Sequence, residues 1–176
     1  MTVTRSEKNP LIKPADVKPS RPDFGVIGVF NAGVTHFNHE IVLLVRVAER
    51  PINQNKFVCL APRLEMDTNR VVSLAFETER TGYDFSDPRE IVTPGARYLT
   101  SISHLRVARS SDGINFKIDE IPALFPANAY ETFGIEDARI TMLNDIFYIN
   151  YSAVSELGIV TQLASTQDFL AFEGMV

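Results

Sequence analysis

Apolar and polar positions alternate in short runs along this chain, and Asn, Asp, Gly and Pro separate the runs. Val, Ile, Phe, Tyr and Thr dominate them. That pattern predicts strands at 25–31, 40–48, 71–77, 99–109, 116–120, 137–143, 146–155 and 159–165. No segment carries a convincing amphipathic helix. The best helical candidate, 164–172, has an aspartate-aromatic turn pattern that fits a hairpin better. Asn144-Asp145, between Leu143 and Ile146, reads as a two-residue hairpin turn, because both residue types tolerate positive φ. Phe37-Asn38, flanked by His36 and His39, reads as another hairpin loop. The expected fold is all-β.

The first 24 residues differ. Pro10, Pro14, Pro19 and Pro22 make them an extended arm, since proline neither donates to a ladder nor sits inside a helix. Residues 25–176 form the remaining unit. Within it, Val107-Ala108-Arg109-Ser110-Ser111-Asp112-Gly113-Ile114-Asn115-Phe116 resembles Leu163-Ala164-Ser165-Thr166-Gln167-Asp168-Phe169-Leu170-Ala171-Phe172, 56 residues later. Each copy is an apolar strand, small polar residues, an aspartate turn and an aromatic. The spacing suits one four-stranded propeller blade with its loops, although two unrelated hairpins with similar turns would look alike. A propeller closes with typically 4–8 blades, and this chain holds about two and a half. It is therefore expected to be the front part of a longer protein. An unclosed propeller exposes sheet surfaces and is prone to association, so a homo-oligomer is among the expectations.

Composition narrows the function. A net charge of −5 opposes non-specific binding to nucleic acid or to an anionic membrane. No run of 18 apolar residues offers a membrane span, and the polar start, Thr2 to Asn9, is not expected to act as a signal peptide. The one cysteine, Cys59, allows no disulfide framework and reads as a small buried apolar residue. A reducing, cytoplasmic setting is expected. Glycine-rich phosphate loops, nucleophile elbows and zinc-type His/Cys spacings are absent from the sequence. His36 and His39 have no third ligand nearby, so no metal site is expected.

Candidate chemistry concentrates in Thr132-Phe133-Gly134-Ile135-Glu136-Asp137-Ala138-Arg139-Ile140-Thr141. Strand alternation would put Asp137 and Arg139 on one face and Glu136 on the other. A carboxyl shielded by Phe133 and Ile135 could have a raised pKa and serve as a general acid; the alternative is a surface ion pair with a turn aspartate. Arg46 lies within the apolar run 41–47, where an arginine is costly unless paired or used. It could grip a carboxylate or sugar hydroxyls, or sit at an exposed strand end. Asn31 closes the run 26–30. His104 and Arg106 share one face of the strand at 99–109, which either lines a pocket or meets solvent. Asp87-Pro88-Arg89 sits in a polar stretch and reads as a loop.

Taken in order, Phe30-Asn31-Ala32-Gly33, Arg46, Ser103-His104-Leu105-Arg106 through Phe116, and Gly134-Ile135-Glu136-Asp137-Ala138-Arg139-Ile140 resemble glycoside hydrolase family 130, the β-mannoside phosphorylases and a smaller group of β-mannosidases. The Ser-His-Leu-Arg strand is most similar to the branch acting on β-1,2-linked mannose. The resemblance implies a five-bladed β-propeller of about twice this length, with the site in its central cavity. It implies that Asp137 is the general acid, its proton reaching the glycosidic oxygen through a mannose hydroxyl. Asn31 and Arg46 would hold the transferred mannose. His104 and Arg106 would line the cavity, with Glu136 beside the substrate and Arg139 supporting Asp137. Ala138 departs from the family's usual proline, which bears on turn rigidity and not on the acid. The implied reaction is inverting cleavage of β-1,2-mannooligosaccharides by inorganic phosphate to give α-mannose 1-phosphate, with no cofactor. Alternatives are an inverting β-mannosidase, since the residues deciding between phosphate and water would lie beyond Val176, and a non-catalytic carbohydrate-binding propeller.

Overall fold

The computed structural model describes residues 6–175. Strands β1 (Phe24–Phe37), β2 (Glu40–Pro51), β7 (Ile102–Ser110) and β8 (Lys117–Ile118) form one antiparallel four-stranded unit. Strands β9 (Gly134–Leu143), β10 (Ile146–Ser155), β11 (Gly158–Thr166) and β12 (Glu173–Met175) form a second. A single parallel bridge, Ser103 to Gly134, joins them. Between β2 and β7 the chain builds two hairpins, β3 (Val58–Glu65) with β4 (Arg70–Glu77), and β5 (Glu90–Val92) with β6 (Arg97–Leu99). The fold is all-β; among the described residues the single helical turn is a 3₁₀ segment at Pro14–Asp16.

Turn chemistry sets the hairpins. Asn38 and His39 join β1 to β2, and Asn144 and Asp145 join β9 to β10. All four have positive φ, and each pair is the whole loop between paired residues. Such two-residue turns match the right-handed twist of the strands they connect.

The two halves of the internal repeat are the same structure. Ser110 Oγ accepts from the amide of Gly113, while Asp112 Oδ1 accepts from Ile114 and Asn115. Thr166 Oγ1 accepts from Phe169, while Asp168 Oδ1 accepts from Leu170 and Ala171. The ladders that follow coincide too: Ala108 pairs with Ile118 and Ala164 with Gly174. In both, the hydroxyl and carboxylate replace ladder partners for the turn amides and aim the chain back along its sheet.

The two units share one core. Val42, Leu44, Leu105 and Val107 pack against Ile135, Ala138, Ile149 and Phe169. Gly134 lets them meet. Its φ is +125°, and a Cβ there would lie 2.5 Å from the Ser103 nitrogen. Only glycine accommodates both that dihedral and that approach.

Several elements exceed their expected bounds. β1 runs on past Asn31 to Phe37, and β2 past Ala48 to Pro51. The β3, β5, β6 and β12 strands were not expected. The proline-rich arm is less extended than anticipated. It makes the 3₁₀ turn, buries Val17, and fixes Ser20 to Glu49 through its amide at 2.7 Å. Cys59 is half-buried on β3, because a two-stranded hairpin turns one face outward. No helix among the described residues is long and apolar enough to cross a membrane.

Candidate active site

Two β-bulges build the site. On β1, Phe30 pairs with Arg46 and Gly33 with Leu44, so Asn31 and Ala32 together oppose one residue of β2. On β9, Glu136 pairs with Ser152 and Arg139 with Asn150, so Asp137 and Ala138 oppose one residue of β10. Each bulge opens on a left-handed residue, Asn31 at φ +49° and Asp137 at φ +55°. Asn and Asp bear that conformation better than other side-chain residues. Gly33 allows the bulges to abut, since a Cβ there would sit 2.9 Å from the Ala138 carbonyl oxygen.

The bulges converge on Arg46. Its Nη1 donates to Asp137 Oδ1 at 3.0 Å, its Nη2 to Glu136 Oε1 at 2.5 Å, and its Nε to Ser103 Oγ at 3.1 Å. Its guanidinium lies over the Phe30 ring, 4.7 Å from the centroid. Asn31 Nδ2 donates to the same Asp137 Oδ1 at 3.0 Å. The Arg46 side chain is 17% exposed and that of Asp137 37% exposed, so the acid is the more accessible of the two. An arginine in an apolar strand is thus stabilised by two carboxylates, a hydroxyl and a ring face.

The carboxylates differ. Burial pushes the Asp137 carboxyl up, but the hydrogen bonds from Asn31 and Arg46 and the charges of Arg46 and Arg139 outweigh it, and the net shift is downward. For Glu136 burial dominates, aided by the Asp137 charge, and its carboxyl is raised despite Arg46. The raised carboxyl expected at position 137 therefore falls at position 136 in this structure. The expected orientation is corrected as well: Glu136 and Asp137 do not point apart. The left-handed residue breaks the two-residue alternation and turns both toward Arg46. Arg139 is not paired with the Asp137 carboxylate. Its Nη1 donates to the Ala138 carbonyl at 2.9 Å and bears on the bulge backbone.

His104 and Arg106 do not join this group. They share a face, as expected, but it is the opposite one from Arg46 and it meets neither the site nor solvent; they are 1% and 0% exposed. His104 Nε2 lies 3.2 Å from Glu49 Oε1, and Arg106 Nη1 donates to the Glu120 carbonyl at 2.8 Å. Glu49 also accepts from Ser20, and Phe125 lies against the imidazole. Ending the strand at Ala48 concealed Glu49; the alternation Val45, Val47, Glu49 was the signal. Ser103 and Phe30 were also missed as partners of Arg46. Phe30 stood directly before Asn31, yet only the cross-strand register places it beside the arginine.

No group of three or more His, Cys, Asp or Glu side chains among the described residues is arranged to hold a metal ion.

A family model described as beta-1,4-mannooligosaccharide phosphorylase, glycoside hydrolase family 130, matches residues 91–175. The beta-1,2-mannobiose phosphorylase of Listeria innocua is 46% identical over all of this chain and 51% of its own length. The 1,2-beta-oligomannan phosphorylase of a Thermoanaerobacter species is 35% identical over 37% of this chain and 22% of its own. The Listeria enzyme's structure, in complex with beta-1,2-mannobiose, superposes with a TM-score of 0.93 over 99% of this chain and 50% of that one. A putative glycoside hydrolase from Parabacteroides distasonis, 21% identical, shares the fold with a TM-score of 0.61 over 97% of this chain and 40% of that one. The sheet architecture is that of an all-β protein, with a carboxylate–arginine cluster held between two bulges. Within that class, the chain belongs to glycoside hydrolase family 130. It spans about half the length of the Listeria relative.

Proposed function

We propose that this chain is part of a β-propeller phosphorylase that cleaves β-1,2-linked mannosides with inorganic phosphate. The observation that carries the reading is the Asn31–Asp137–Arg46 cluster: a partly exposed acid, held by a neutral amide and a cation. The 46% identity to a β-1,2-mannobiose phosphorylase supports the substrate class.

The chemistry follows from the charges. Cleavage breaks the bond between the mannose anomeric carbon and the glycosidic oxygen. That oxygen must gain a proton as it leaves, and a phosphate oxygen forms the new bond from the opposite face, which inverts the configuration to give α-mannose 1-phosphate. Asp137 supplies the proton. In the structure its carboxyl is held low by Asn31 and Arg46. A sugar bound against the carboxyl displaces water from it, and that desolvation favours the neutral form that can donate. Arg46 and Asn31 fix its orientation, and the remaining donor capacity of Arg46 and Asn31 suits mannose hydroxyls. Phosphate is a co-substrate, and no further cofactor is required.

The test is turnover of β-1,2-mannobiose by the full-length protein with and without phosphate. Phosphate-dependent release of mannose 1-phosphate is expected. Phosphate-independent release of mannose, or no turnover, overturns the proposal.

A further inference from the structure

The loop 84–89 leads into β5, and its tip is fastened down. The Thr100 amide donates to the Arg89 carbonyl at 2.9 Å, and Thr100 Oγ1 to the Pro88 carbonyl at 2.7 Å. Arg50 Nη2 donates to that same carbonyl at 2.9 Å. Thr100 is only 3% exposed, so the anchor is internal. The side chains at the tip are free to meet a ligand. Arg89 is 84% exposed, and its guanidinium makes a two-point pair with Asp87, Nε to Oδ1 at 3.0 Å and Nη2 to Oδ2 at 2.6 Å.

This pair borders the active site. Asp87, Arg89 and Glu90 line a cavity of about 400 Å³ whose other wall includes Phe30, Arg46 and Glu136. That is within the size range of small-ligand pockets, roughly 300–1,000 Å³. Asp137 and Asn31 do not line it, so the cavity leads away from the acid on the Glu136 side. Its walls carry two arginines against three carboxylates. An anion gains no net attraction there, whereas a neutral polyol gains: the guanidinium donates to hydroxyl oxygens and the carboxylate accepts from their protons. The partly exposed Phe30 ring offers an apolar surface for the carbon face of a pyranose.

We propose that Asp87 and Arg89 bind the second sugar ring, the one that departs with the glycosidic oxygen, and thereby set which acceptor is used in the reverse reaction. The inference rests on the proposed phosphorylase activity and adds residues from outside the bulge cluster.

The experiment runs the full-length protein in the synthetic direction, from α-mannose 1-phosphate and mannose, as wild type, Arg89→Ala and Arg89→Lys. Arg89→Ala should raise KM for the mannose acceptor by about ten- to a hundredfold, the loss of one or two charge-assisted hydrogen bonds. KM for mannose 1-phosphate should stay within about twofold. Arg89→Lys should recover part of the loss, since it keeps the charge without the fork. An unchanged acceptor KM in Arg89→Ala, or an equal rise in both constants, overturns this inference while leaving the phosphorylase reading intact. Absence of phosphate-linked turnover in the wild type overturns that reading, and this inference with it.

Discussion

Asn31 and Asp137 occupy equivalent places in two different strands. Each is the left-handed first residue of a β-bulge, and the amide of one donates to the carboxylate of the other at 3.0 Å. Neither residue would reach the other from a regular strand. The bulges redirect both side chains, and Arg46 closes the triangle. Bulges beside active sites have this effect generally: they re-aim a side chain without ending the ladder.

Asp137→Asn keeps the size and the bulge conformation but removes the transferable proton. Activity of the full-length protein on β-1,2-mannobiose should fall by about 10²–10⁴-fold, the usual contribution of a general acid. Steady-state phosphorolysis measures it. A rate near wild type would remove Asp137 from that role.

Glu136→Gln separates the two carboxylates. Arg46 is hydrogen-bonded to both carboxylates, so loss of the Glu136 charge leaves its cation to act on Asp137 alone, and the Asp137 carboxyl should ionise at lower pH. An acid catalyst works in its protonated form. The alkaline limb of the kcat/KM profile should therefore move to lower pH, with a smaller loss of rate than Asp137→Asn causes. A pH–rate profile of both variants checks the direction.

Gly134→Ala should destabilise the whole sheet assembly. The new methyl would meet the Ser103 backbone at 2.5 Å from its nitrogen, at a φ of +125°. We expect a loss of about 2–4 kcal/mol, from backbone strain and the clash together, read as a lower urea midpoint. Gly95→Ala, where a Cβ meets nothing within 4 Å, is the control and should be near neutral.

The buried cluster of His104, Glu49 and Arg106 predicts a pH dependence of stability. Burial, and then the Arg106 charge, holds the His104 imidazole down to about 3, against an ordinary value of 6.5. Below about pH 6.5 the unfolded chain takes up a proton that the folded chain refuses until near pH 3, so this group makes stability fall as pH falls through that window. The urea midpoint should drop between pH 7 and pH 5. His104→Gln should lower it at pH 7 but flatten the drop.

Hairpin chemistry was legible locally. Asn144-Asp145 located the turn, and β10 falls at Ile146–Ser155, the predicted bounds. The repeat at 107–116 and 163–172 was legible because its turns are made by near neighbours: Ser110 with Asp112, Thr166 with Asp168. Strand β3 was hidden by Pro62, which argues against a strand in a sheet interior; in a two-stranded hairpin its missing N–H can face outward. Strand alternation misplaced Asp137 relative to Glu136, because the bulge begins at Asp137 and its left-handed backbone breaks the alternation there.

By itself the sequence determined the all-β class, the hairpins and the repeat, and it singled out Asn31, Arg46 and Asp137, which the structure brings together. These follow from residue type and short-range hydrogen bonding, or from a residue series similar to a family's. Tertiary structure alone decided which carboxyl is raised, that Arg46 binds two acids, that His104 and Arg106 belong to a separate buried cluster, and that Arg89 stands beside the site. Those depend on desolvation and on contacts between segments some 40 to 106 residues apart, and a one-dimensional pattern carries neither.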